Sequence, residues 1–367
     1  MATTEHKRSP LVHLVKRDPA SLTWWYKLMV RAIAIAAALV TAGLLITLLS
    51  GENPVDIYAS MVDGVFGTER RQWNLVQDMA MLLGVSLAVA PAFKMKFWNI
   101  GAEGQTLIGG LACAACMYFL GDKLPYWQLI AVMVASSVMA GMVWAVLPAI
   151  FKARFNTNET LFTLMMNYVA IQMVEWFLKA YVVTEKNTVM PRLPEYGLPV
   201  LGEQKALLNA IIVATVTILL FIYLKYSKQG YEIAVVGESE NTARYVGINV
   251  RKVIIRTMLV SGAICGLAGL LLVGGTSYTI STTTVDGRGF TAIMVAWLAK
   301  FNPFYMVLTT FLLVFLDKGA SQVSTDFGVD ESISSIVSGI ILLFIIGCEF
   351  FLQYRLALRK KRKEAAQ

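Results

Sequence analysis

The residues with usable chemistry in this chain sit at the edges of apolar runs. FWNIGAEGQT (97–106) gathers Asn99, Glu103, Gln105 and Thr106 within eight positions. Three readings of Glu103 stand side by side. It lies near the positive end of a new helix that Asn99 caps, it faces a solute path, or it carries an ion. A second group, Asn158, Glu159, Asn167 and Gln172, punctuates NETLFTLMMNYVAIQ (158–172). Amides this far inside an apolar run hydrogen-bond to a neighbouring helix or face a cavity. A third, GRGF (287–290), offers Gly289, where backbone can approach a solute or hinge, and the Phe290 ring. Amides and hydroxyls suit the hydroxyls of a neutral polar molecule, and aromatic rings suit a flat base. Metal chemistry is not expected. Cys113 and Cys116 form a CxxC inside an apolar run, but zinc wants four ligands, and the two histidines, His6 and His13, lie in the N-terminal arm. No HExxH, no histidine pair within the apolar runs and no nucleophile–base spacing is present, so no catalytic residue is assigned.

The elements that must hold these groups are membrane helices. The 367 residues are 57% hydrophobic and 15% charged, against about a quarter charged in soluble domains. Apolar runs of some 20 residues recur, long enough to cross roughly 30 Å of hydrocarbon. The fold class is therefore all-α, a polytopic membrane protein of about ten transmembrane helices. Its net charge of +8 is no sign of nucleic-acid binding. Spans are expected at 28–49, 75–93, 100–120, 127–150, 160–183, 206–224, 253–277, 289–300, 303–319 and 333–353. The eighth, bounded by Gly287, Gly289 and Pro303, is too short to cross and reads as a broken or half-depth segment. Such a segment is allowed only where protein or a water-filled cavity surrounds it. The first run is too long for a signal peptide and reads as a retained anchor.

Three regions follow: a cytoplasmic arm (1–27), a transmembrane domain (28–353) with a cytoplasmic segment at 225–252, and a basic tail (354–367) suited to anionic lipid. An even number of crossings puts both termini on one side. That side receives 23 of the 32 Lys and Arg, the other nine, while fifteen of 24 acids fall on the second side. The positive-inside rule then places both termini in the cytoplasm. Of the longer outer loops, 51–74 and 184–205, the second is stiffened by Pro191, Pro194 and Pro199.

Between two of the most apolar runs lies VVGESENTARYVGINVRKV (235–253). Ser239 is a good N-cap, Glu240 and Arg244 form an i,i+4 pair in the favourable order, and Gly247 suits the left-handed C′ position. The expected product is a compact helix of about two turns with Ala243 and Val246 on one face. Tethered at both ends to spans, it transmits force as a rigid body. The run that follows, SGAICGLAGLLLVGG (261–275), repeats small residues at i and i+4, which lets helices approach closely.

GYEIAVVGESENTARYVGINVRKVIIRTMLVSGAICGLAGLL (230–271) resembles the cytoplasmic coupling segment and following span of ABC-importer permeases, in the branch handling simple sugars, nucleosides and branched-chain amino acids. FWNIGAEGQTLIGG (97–110), NETLFTLMMNYVAIQ (158–172) and GRGFTAIMVAWLAKFNP (287–303) agree with it in order and spacing, and together resemble the nucleoside-type permeases. In other importers the coupling loop reads Glu-Ala-Ala, three residues, then Gly; here Asn241, Thr242, Ala243 and Gly247 hold those places, so only the last two agree. No GxxxxGK[ST] occurs, so this chain is expected to bind no cofactor. The resemblance implies a separate tandem-domain ATPase that uses ATP and receives Gly237, Glu238, Ser239, Asn241, Ala243, Arg244 and Gly247. It also implies a second homologous permease, an extracytoplasmic solute-binding protein and a place in the bacterial inner membrane. GRGF resembles a re-entrant element near the translocation route. Nucleoside is the first expectation for cargo, simple sugar the second and branched-chain amino acid the third. A self-sufficient ion-coupled secondary transporter is the alternative of a different class, resting on Glu103 and the broken eighth segment.

Overall fold

Capping residues set the helix boundaries. Thr68 Oγ1 accepts from the Arg71 amide, Asn158 Oδ1 from Leu161 and Asn249 Oδ1 from Lys252, so each helix begins where a side chain takes an orphan donor. The computed structural model describes residues 12–16, 23–51, 53–182, 190–202, 204–328 and 330–358. Most of the N-terminal arm, part of the 184–205 loop and residues 359–367 of the basic tail lie outside these described residues.

In chain order, strand β1 (Val12–Lys16) precedes α1 (Trp24–Ser50), α2 (Pro54–Phe66), α3 (Glu69–Lys94), α4 (Ala102–Leu120) and α5 (Tyr126–Phe155). Then come α6 (Glu159–Phe177), α7 (Lys205–Tyr226), α8 (Lys228–Glu238), α9 (Glu240–Tyr245) and α10 (Val250–Leu272). The chain ends with α11 (Arg288–Leu298), α12 (Pro303–Phe327), α13 (Glu331–Gln353) and strand β2 (Tyr354–Leu358). Single π-helical turns extend α6 through Val182 and α10 through Ser277. Among the described residues, six helices are long and apolar enough to cross a membrane: α3, α5, α6, α7, α10 and α12, with α6 and α10 counted through those turns. Shorter apolar stretches lie at Ala32–Leu45, Arg288–Leu298 and Gly339–Leu352.

The chain divides into two compact units. In the larger, residues 66–315, α10 is central and packs on α3, α4 and α5. The small residues of 261–275 explain why. A Cβ on Gly266 would lie 2.2 Å from the Ser137 carbonyl, and one on Gly109 would lie 2.6 Å from the Gly266 Cα. Backbones meet here with no side chain between them, so dispersion and shape, not the hydrophobic effect, hold the seam in an apolar solvent. Cys113, Cys116 and Cys265 are buried thiols in this packing, and the described residues hold no cluster fit for a metal.

The smaller unit, residues 1–65 and 316–367, pairs α1 with α13 and joins β1 to β2 as an antiparallel two-stranded ribbon. Its α2 was not anticipated, since it falls within an expected loop. Asn53 Oδ1 accepts from the Val55 amide to start it, Ile57, Met61 and Val65 are buried, and Ser60 hydrogen-bonds to Asp326 at 2.6 Å. Thirteen residues are too few to cross a membrane, so the apolar spacing carries no span signature.

Replacing Gly266 by valine is expected to lower stability by about 2–3 kcal/mol, because a backbone contact must open to admit the side chain. Gly339→Ala, with nothing within 4 Å of the added Cβ, is expected to leave stability unchanged or raise it. Thermal unfolding of the purified variants in nanodiscs checks both.

Candidate solute path and coupling segment

Between α3 and α4 the chain leaves helical geometry, and the polar groups of FWNIGAEGQT satisfy that break. Asn99 and Gln105, both buried, exchange amide hydrogen bonds at 3.2 and 3.1 Å. Asn99 Oδ1 also accepts from the Gly101 amide, and its Nδ2 reaches Ser261 Oγ on α10. From α6, Asn167 donates to the Ile100 carbonyl at 3.0 Å and accepts from the Gly104 amide at 2.9 Å. Thr163, one turn earlier, accepts from the Ile100 amide at 3.2 Å. Three helices are thus tied to one irregular stretch by side chains that match its backbone donors and acceptors.

Glu103 completes this knot in an unexpected direction. Its two carboxylate oxygens accept from Gly287 N at 2.9 Å and Gly289 N at 2.7 Å, the backbone opening α11. A charged acceptor at a helix start satisfies orphan amides and opposes the helix dipole. Contact is close: a Cβ on Gly289 would lie 2.4 Å from the Glu103 amide nitrogen. Arg288, between the two donors, pairs with Asp78 on α3 at 3.5 Å. With eleven residues, α11 is about 16 Å long, half of what a crossing needs.

The structure therefore brings Asn99, Glu103, Gln105, Asn167 and Gly289 together. Gln172 is set apart on the exposed face of α6, and Phe290 is 46% exposed beside the buried Gly289. Sequence reasoning passed over Thr163 and a second polar set, in which Gln77, Asn209 and Thr276 bridge α3, α7 and the π-helical turn. Single hydroxyls and amides inside spans carry no pattern of their own; the signal for Thr163 was its position four residues before Asn167, on the same helix face.

At the other functional stretch, the compact helix expected after Ser239 is α9, and a further helix, α8, precedes it. Ser227 Oγ caps α8 and Ser239 Oγ caps α9, accepting from Thr242 N at 3.2 Å. The chain bends at Ser239, whose extended backbone ends α8 and starts α9. Glu240 and Arg244 pair at 3.2 Å, and Gly247 takes φ +83° just after the helix, the conformation a non-glycine residue resists. The base is locked down. Ala243 is fully buried, a Cβ on Gly237 would lie 2.2 Å from the Lys94 carbonyl at the end of α3, and Glu232 pairs with Arg256 of α10 at 2.7 Å. Glu238, Asn241, Arg244 and Gly247 are exposed, and Tyr245 is 92% exposed. Val246 does not share the buried face of Ala243: it caps α9 and turns outward.

A bundle of spanning helices, a half-length helix clamped by a buried polar knot and an exposed short helix braced at its base make up a membrane-embedded permease component. Residues 74–346 match the family described as "Branched-chain amino acid transport system / permease component", and the chain belongs to that family. Guanosine ABC transporter permease protein NupP of Bacillus subtilis is 32% identical, over 87% of this chain and 92% of that protein. Glucose ABC transporter permease protein TsgB13 of Haloferax volcanii is 26% identical over 92% of each. Nucleoside ABC transporter permease protein NupB of Lactococcus lactis is 26% identical over 87% of this chain and 90% of that one. Among solved structures, a chain of PsaBC from Streptococcus pneumoniae aligns with a TM-score of 0.45 and 11% identity, over 79% of this chain and 95% of that one. The chain is thus a multi-pass membrane protein, the permease component of an ABC transporter and not itself a catalyst; the family implies a partner ATPase and a binding protein.

Glu103→Gln is expected to free α11, since an amide accepts from only one of the two backbone donors and sets its NH2 against the other. Amide exchange at Gly287 or Gly289 should speed by about tenfold or more. Hydrogen exchange read by mass spectrometry over 285–292 measures it.

Proposed function

We propose that this chain forms half of the translocation path of a bacterial inner-membrane importer for nucleosides, driven by a separate ATPase that docks on residues 237–247. The observation that carries the reading is the contrast within the coupling segment: its base is packed against α3 and ion-paired to α10, while the α9 tip stands exposed. A push on such a tip moves the spans instead of bending the connector. Gly237, Ser239 and Ala243 hold the shape, and Glu238, Asn241, Arg244 and Gly247 offer the surface. The excess of Lys and Arg on the termini side supports placing this segment and both termini in the cytoplasm. ATP is used by the tandem-domain partner, and this chain binds no cofactor.

Cargo and partners are inferred from chemistry and relatives. Two relatives, NupP and NupQ, are both named guanosine permeases of Bacillus subtilis, which supports pairing with a second, homologous permease. An extracytoplasmic binding protein delivers the solute. Simple sugar is the second reading, supported by the glucose permease among the relatives. Ion-coupled secondary transport loses its best group, because both Glu103 oxygens are occupied by backbone donors. Of the residues proposed for the path, Phe290 presents an exposed ring beside α11's clamped start, Gln172 presents an amide on α6, and Asn99, Glu103, Gln105, Asn167 and Gly289 fix the wall behind.

Gly247→Trp and Arg244→Glu, the latter placing like charge against Glu240, are expected to insert normally and lose ATP-dependent uptake. Labelled guanosine uptake in cells expressing each variant, with membrane content measured by blotting, decides it; unimpaired uptake removes the docking assignment. Competition by unlabelled nucleosides but not by free ribose is the outcome expected of a nucleoside path, and the reverse selects the sugar reading.

A further inference from the structure

Where α5, α9 and α10 converge, the larger unit holds a basic pocket of about 290 Å³ that lies outside the polar knot and shares only Glu240 and Arg244 with the coupling segment. Its walls carry Lys152 and Arg154 from the last turn of α5, Glu240 and Arg244 from α9 and Arg251 from the first turn of α10. Lys152 is engaged by Glu159 at 2.9 Å and Arg244 by Glu240 at 3.2 Å. Arg154 and Arg251 make no ion pair among the described residues, so two positive charges are left facing one cavity. Val250 and Ile254 give it an apolar side. Beside it, α5 presents Val143, Leu147, Phe151 and Phe155, all exposed and four residues apart, as one apolar stripe.

We propose that this pocket binds the phosphodiester headgroup of an anionic phospholipid, whose acyl chains lie along the α5 stripe. A phosphate answers two unpaired guanidiniums through charge-assisted hydrogen bonds, and basic pockets between membrane helices on the cytoplasmic side are suited to such headgroups. The adjoining apolar stripe favours an amphiphile over a soluble phosphate. A headgroup there bridges α5 to α9 and α10, so it braces the coupling segment against α5 as well as α3. This site is independent of the cargo.

The test is lipid retention by the full chain, alone and assembled with its partners, in nanodiscs of phosphatidylglycerol mixed with phosphatidylcholine, read by native mass spectrometry. The wild type is expected to retain phosphatidylglycerol preferentially in both settings. Arg154→Gln with Arg251→Gln should cut that preference by about 25-fold, roughly fivefold for each arginine, while the paired Lys substitutions keep most of it. Equal retention of both lipids, or an unchanged preference in the Gln pair, overturns the proposal. So does displacement by millimolar inorganic phosphate, which would mark a site for free anions. A preference seen in the lone chain and lost on assembly assigns the pocket to acidic side chains of a protein partner instead.

Discussion

One constraint governs the middle of this molecule: backbone that stops being helical inside a membrane must find its hydrogen bonds within the protein. Two stretches incur that cost, 95–101 before α4 and 278–287 before α11. Glu103 joins them. Sitting in the first turn of α4, it gives both oxygens to the first amides of α11, so the same carboxylate serves two half-buried helix starts. Asn99, Gln105, Thr163 and Asn167 do for the first stretch what Glu103 does for the second. The polar residues that look most like chemistry are thus spent on structure, and this is what allows a half-length helix to stand beside full spans.

That accounting bears on mechanism. A carboxylate matched to two fixed backbone donors is committed to holding α11, and the family implies that energy enters through a partner ATPase. The coupling segment has the right mechanics for an entry point. Gly237 rests directly on the end of α3, and Glu232 ties α8 to α10, the helix at the centre of the bundle. Because α10 meets α4 and α5 backbone to backbone, displacement of the segment is passed on by close-packed surfaces with little slack. Closely packed helices favour discrete rearrangement over gradual deformation, as alternating access requires.

Much of this was legible in the residues. Capping at Ser239, the Glu240–Arg244 pair, the left-handed Gly247 and the short eighth element follow from local rules, because they depend on neighbours within four positions. The small residues at 261–275 announced close packing but not their partners, Ser137, Gly109 and Gly141. What stayed hidden was long-range. None of the three sequence readings of Glu103 names its partners, which lie far along the chain at Gly287 and Gly289. The helix before Ser239 carries no comparable signal: Ser227 caps α8, and the serine that begins α9 also ends it. The helix α2 lies within an expected loop because thirteen residues are too few to announce a span.

The most direct test of the central claim, that this permease is driven from outside its own chain, is reconstitution. Proteoliposomes holding the chain and its partner permease, with the binding protein supplied, should accumulate labelled nucleoside only when the ATPase and ATP are both present at the coupling-segment face. Accumulation driven by a proton gradient, with no ATPase in the vesicles, would contradict the account.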